Sequence, residues 1–130
     1  MAKPTGVITP QQAKDLDTEF NSRHTLISTQ IVKRPDNRSA WWSLQDIRDY
    51  LDYAENQALD DGYTMDGIRV YLGAYPEDSE GVGYTTVFMV PTGNQTGQQA
   101  AKGGGSPDLP NGSGLNFGNN GQPPESNYPQ

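Results

Sequence analysis

The chain of 130 residues has no cysteine. Disulfides, thiol nucleophiles and cysteine-based zinc sites are therefore excluded, while the redox compartment stays open. There is one histidine, His24. It sits at the end of a helical segment with no motif around it, so a surface or capping role is expected rather than a catalytic one. No Gly-x-Ser-x-Gly, no Walker loop and no Gly-x-Gly-x-x-Gly between a strand and a helix occurs. Nothing approaches the run of about 18 apolar residues that a membrane-spanning helix needs. Residues 1–10 carry no apolar h-region, so no secretory signal is expected, and the cytoplasm is the expected location.

Hydrophobic residues are also scarce, at 32%, against the roughly 45–50% of an average globular domain, an average that also counts glycine. The shortfall lies beyond Thr92. Residues 1–92 read as a single α+β domain with a thin core. Residues 93–130 are mostly Gly, Asn, Gln, Pro and Ser, and read as a disordered tail that cannot offset its own ordering entropy.

The formal net charge is −7. An acidic chain repels phosphate backbones, so no nucleic-acid partner is expected. The candidate basic patch is Lys33, Arg34 and Arg38 around Pro35-Asp36-Asn37, which reads as a solvated turn.

Two helices are legible. The first starts at Thr9, with Pro10 at the first helical position and Gln12 where a capping box needs it. Ala13, Leu16 and Phe20 form its apolar stripe. Residues 25–34 fit either a strand or an extension of this helix. Ser39 to Trp42 reads as a short strand. The second helix starts after Ser43, with Asp46 at the third helical position. Leu44, Ile47, Leu51, Ala54 and Ala58 form a core-facing stripe, and Gly62 is placed for a left-handed C-terminal cap.

Gly67 to Tyr75 and Tyr84 to Val90 then read as the strands of a hairpin, rich in β-branched and aromatic residues. Ile68, Val70 and Leu72 alternate with Arg69, Tyr71 and Tyr75. The acidic loop from Pro76 to Gly83 is expected to be mobile, and Pro91 to end the pairing. The whole predicts an antiparallel sheet of three to four strands with two helices on one face.

Carboxylates are plentiful at Asp60, Asp61 and Asp66, and at Glu77, Asp78 and Glu80. They lack the spacing of a calcium-binding loop, so no metal and no cofactor is expected. Arg69 is more informative. An arginine among tyrosines on a sheet face suits a carboxylate or phosphate, or stacks on a ring. Trp41, pointing opposite to Trp42, is either second-face core or an anchor for a partner.

The segment from Trp42 to Thr92 resembles a family of short uncharacterised proteins frequent in Bacteroidota. The resemblance rests on Tyr50-Leu51-Asp52-Tyr53, on the Gly-Ile-Arg-x-Tyr-x-Gly-x-Tyr-Pro run from Gly67 to Pro76, and on Thr-x-Phe-x-x-Pro-Thr from Thr86 to Thr92. It implies a cytoplasmic single-domain protein and no assigned activity.

The expected function is non-enzymatic binding. Arg69, Tyr71 and Tyr75, with Trp41 as a weaker candidate, would hold a protein partner, a second copy included, or a small anionic ligand. The alternatives are a small carboxylate-dependent hydrolase and an assembly subunit with a disordered tail.

Overall fold

The computed structural model describes residues 2–98, 105–121 and 124–130. The chain divides into two compact units. The first comprises Met1–Ser39, Tyr75–Thr85 and Asn120–Gln130, and the second Ala40–Ala74 and Thr86–Asn119. The expected boundary at residue 92 does not separate them, because both units draw residues from each side of it.

In the first unit, helix α1 spans Pro10–Leu26. Its N-terminus is closed by the expected capping box. The Thr9 hydroxyl accepts the Gln12 N–H at 3.1 Å, and the Thr9 N–H donates to Gln12 Oε1 at 2.8 Å. The helix runs on into a π-helical turn, Ile27–Val32, and stops at Lys33 in the left-handed region, φ 63°. Of the two readings of residues 25–34, the helical extension is therefore the one formed. Thr25 and Thr29 donate their hydroxyls to carbonyls four residues back, a back-bonding that loosens helical ladders.

The half-buried face of α1 carries Ala13, Asp17, Phe20 and His24, while Leu16 is exposed. The expected Ala13–Leu16–Phe20 stripe is thus rotated. Arg38 is the cause. Its side chain is 4% exposed and lies over the Phe20 ring, and its Nη2 donates to the Asp17 carboxylate at 3.1 Å and carbonyl at 2.8 Å. The helix turns its charge-bearing flank inward because a nearly buried guanidinium needs a carboxylate there.

Pro35-Asp36-Asn37 is not a solvated turn. Asp36 is 1% exposed. Its carboxyl accepts the Thr85 N–H at 2.8 Å and also the Thr85 hydroxyl. Its own N–H donates to Ser28 Oγ at 2.9 Å, and its carbonyl accepts His24 Nε2–H at 2.7 Å. In the acidic loop, Asp78 Oδ1 accepts the N–H groups of Glu80 and Val82, and Val82 is buried.

In the second unit, helix α2 spans Leu44–Asp60, with the Ser43 hydroxyl accepting the Asp46 N–H at 2.9 Å. Gly62 follows with φ +84°, the left-handed position the sequence predicts. The buried residues of α2 are Tyr50, Ala54 and Ala58, whereas Leu44 and Leu51 are exposed. Strands β1, Tyr63–Ala74, and β2, Thr85–Gln95, form a two-stranded antiparallel sheet, and α2 packs against β1. The α+β class holds. The expected three to four strands do not form among the described residues, where Trp41 makes an isolated bridge to Asn119 instead of a strand. Helix α1 is part of the first unit.

The third lane beside β2 comes from the expected disordered tail. Residues 105–119 follow β2 and make antiparallel bridges Thr92–Asp108 and Met89–Leu115. Between these bridges three steps of β2 face seven steps of the tail, so the tail loops outward at residues 110–114. That loop explains why Pro91 does not end β2. Pro91 is fully buried, and its carbonyl accepts the Leu109 N–H at 3.0 Å. On that side the proline ring stands in place of a donor, and Gly112 is seated against it.

Hydrogen bonds rather than apolar burial hold this lane. Gln57 binds Ser113 twice, at 2.8 and 3.0 Å, and Tyr50 donates to the Ser113 carbonyl at 2.8 Å. Trp42 Nε1 donates to the Asn116 carbonyl, and Asn116 Nδ2 donates to Thr86 and Val87. These bonds fix the inward face of α2 on Tyr50 and Gln57 and leave Leu51 outside.

Among the described residues no helix is long and apolar enough to cross a membrane.

Candidate functional site

Arg69 and Tyr71 stand two apart on β1 and therefore share a sheet face. Tyr71 is set by stacking on Phe88 of β2, with ring centroids 5.4 Å apart and planes 16° from parallel. Strand pairing brings Phe88 to its side.

Both side chains converge on one carboxylate, that of Asp108. Arg69 Nη1 donates to Asp108 Oδ1, and the Tyr71 hydroxyl donates to Oδ2 at 2.6 Å. Arg69 Nη2 donates to the Ser106 carbonyl at 2.9 Å. Two residues along, the Ser106 hydroxyl reaches Asp66, which also accepts the Thr92 hydroxyl at 2.9 Å, while Asn94 Nδ2 donates to Ser106 Oγ at 3.1 Å. Ser106 and Leu109 are both buried. Beside this group an open hollow of about 530 Å³ is lined by Asp66, Ile68, Arg69, Thr92 and Ser106.

The electrostatics follow the contacts. The Tyr71 hydroxyl, more than the Arg69 charge, holds the Asp108 carboxyl below its ordinary value, against a smaller desolvation effect. The same bond raises the Tyr71 phenol, helped by desolvation. Arg69 is raised chiefly by its bond to Asp108.

The sign of the pH dependence is fixed by these directions. Asp108 is depressed on folding, so its contribution is present above the ordinary carboxyl value of 3.8 and is lost as pH falls through the lower folded value. Tyr71 is raised, so its contribution is present below the ordinary phenol value of 10.0 and is lost as pH rises through the higher folded value. We predict that Asp108 stays docked across the interval between and releases in strong acid. Side-chain NMR of Asp108 through an acid titration, and of Tyr71 through an alkaline one, checks this; resonances that each titrate at the ordinary value would refute it.

Of the residues singled out from sequence, Arg69 and Tyr71 are brought together. Tyr75 falls in the first unit, where its N–H donates to the Tyr84 carbonyl at 2.9 Å. Trp41 belongs to the second unit with an exposed ring, and its backbone pairs with Asn119. Asp108, Ser106, Asp66 and Phe88 were missed. The available signal was Ser106-Pro107-Asp108-Leu109-Pro110, where an acid and a leucine interrupt a Gly/Asn/Ser run.

Elsewhere the chemistry is committed to structure. Ser28 Oγ lies 3.4 Å from His24 Nε2, which resembles a nucleophile and base. His24 Nε2 faces the Asp36 carbonyl, however, and must carry its proton there, so it has no lone pair for Ser28. A groove of about 680 Å³ beside His24, Ser28, Lys33 and Arg34 is lined by threonine hydroxyls already turned to helix carbonyls. Arg34 pairs with Glu80 at 2.8 Å. Two of the three cations of the expected basic turn thus already face carboxylates. Among the described residues no group of three His, Asp or Glu side chains is placed to hold a metal ion. Backbone N–H groups of Val82 and Glu80 hold the Asp78 carboxyl below its ordinary value.

Compared with protein-family models, curated proteins and solved structures, the chain matches none.

Proposed function

We propose that this chain is a small non-enzymatic binding protein, cytoplasmic in location, that holds a carboxylate-bearing protein partner or small anion on the sheet face around Arg69 and Tyr71. One observation carries the reading: a carboxylate is gripped there by a guanidinium and a phenol, with open space alongside. Arginine presents several donors in a rigid fork suited to a carboxylate. Stacking on Phe88 orients the phenol in advance, which lowers the entropy lost on binding. Arg69 also lies in the Gly67–Pro76 run that carries the Bacteroidota resemblance.

The test is native mass spectrometry of the full chain purified gently from its own cells, beside Arg69→Ala prepared identically. The expected result is an added mass on the wild-type protein that falls at least about tenfold in occupancy in the variant, since a charge-assisted hydrogen bond is worth about one such factor. An added mass retained in full by Arg69→Ala would move the site elsewhere.

A further inference from the structure

The carboxylate that occupies Arg69 and Tyr71 is part of an extended segment whose every second contact is specific. The Ser106 hydroxyl is read by Asp66 and Asn94. The Asp108 carboxylate is read by Arg69 and Tyr71. Leu109 is buried. The backbone of the segment pairs with β2 as an added strand: the Gly93 N–H donates to the Pro107 carbonyl at 3.0 Å and the Leu109 N–H to the Pro91 carbonyl at 3.0 Å. This is how extended peptides are recognised at sheet edges, with main-chain bonds giving affinity and alternate side chains giving specificity.

We propose that the β2 edge beside Arg69 is a docking groove for extended acidic peptides of the pattern Ser-x-Asp-Leu, and that residues 106–109 of this chain are its resident occupant. The inference rests on the carboxylate-binding reading of Arg69 and Tyr71 and names the partner's chemistry. The pattern follows from the groove. Asp66 and Asn94 demand a small hydroxyl, and Arg69 with Tyr71 demands an anion two residues later. A leucine-sized apolar side chain must come next.

The resident segment is displaceable because it is held mainly by hydrogen bonds at a partly exposed site. The Arg69 and Asp108 side chains are 31% and 39% exposed, and ion pairs exposed to that degree are weak. A tethered occupant competes at an effective concentration on the order of millimolar. A partner peptide must therefore exceed it in affinity, or arrive when it is loosened.

The experiment uses the full chain carrying Asp108→Asn and Leu109→Ser, which removes the two anchors of the resident segment and leaves the groove intact. The probe is a fluorescent synthetic peptide of residues 105–116, read by anisotropy, with an otherwise identical peptide carrying Asn at the Asp108 position as its control. The expected result is binding to the loosened chain at least about tenfold tighter than to wild type, because the internal competitor is gone. The control peptide should bind roughly tenfold more weakly. A loosened chain that ignores the peptide, or takes both peptides equally, overturns the proposal. Should the loosened chain fail to fold, an NMR titration of the wild-type chain with millimolar peptide decides the matter. Displacement frees the chain's own Leu109 amide from Pro91 and shifts it, and an unmoved Leu109 amide refutes the groove. If acetate shifts the Arg69 side chain of the loosened chain while the peptide does nothing, the peptide groove fails and the carboxylate site stands. If neither binds, both fail.

Discussion

Replacing Asp36 with alanine is expected to destabilise the protein by about 2–4 kcal/mol, a loss dominated by buried donors left without acceptors. Asp36 is almost wholly enclosed, and its carboxyl takes both the N–H and the hydroxyl of Thr85. Neighbouring Asn37 donates to the Thr85 carbonyl at 3.0 Å. The Pro35–Asn37 turn is thereby tied to the start of β2 at one residue. Alanine removes both acceptors. Asparagine keeps one oxygen for the Thr85 N–H, and the rotatable Thr85 hydroxyl then accepts from the new amide, so Asp36→Asn should lose about 1 kcal/mol or less. Urea unfolding of the two variants beside wild type measures this. An Asp36→Ala midpoint within about 0.5 kcal/mol of wild type would mean the turn carries no such load.

A second large effect is expected at Gly93, from packing rather than polarity. Gly93 is buried in β2, with β1 on one side and the tail on the other. A Cβ built there overlaps the Thr64 carbonyl oxygen and lies 3.0 Å from the carbonyl carbon and 3.1 Å from Met65 Cα. These are main-chain atoms, so no rotamer relieves the clash. Gly93→Ala is expected to reach or exceed the upper end of the roughly 1–3 kcal/mol that overpacking takes. Gly62→Ala provides the contrast. Its φ is +84° but a Cβ meets nothing within 4 Å, so its loss should be the left-handed strain alone, about 1–2 kcal/mol. If thermal unfolding shows Gly93→Ala no worse than Gly62→Ala, the strands are not held as close as described.

The parts of the fold visible in the sequence are those written in local signals. Thr9 with Gln12 and Ser43 with Asp46 cap the two helices as their spacing predicts, because a cap needs four consecutive positions and nothing distant. The hairpin strands were legible from β-branched and aromatic runs, though β1 begins four residues before Gly67 and β2 continues through Pro91. Arg69 and Tyr71 were recognisable as a pair from alternation alone. Their occupant was not. Apolar periodicity finds segments that bury hydrocarbon, and residues 105–119 bury little besides Leu109. Their order comes from Ser106, Asp108, Ser113 and Asn116 bonding to partners 29 to 63 positions away. No window of sequence contains both ends of such a bond. The same reason rotated the face of α1: Arg38 selected Asp17 across 21 residues.

The interleaving of the two units has a consequence for the order of events during synthesis. The first unit includes residues from 120 onward, and the second includes residues up to Asn119, which pairs with Trp41. Neither is complete while only the segment up to Thr92 has been made, although that segment holds nearly every apolar residue. A nascent chain stalled there exposes the β2 edge and the unfilled slot of Leu109 to the surrounding medium. Covering of the β2 edge is therefore expected late in synthesis, once residues 105–119 have been made.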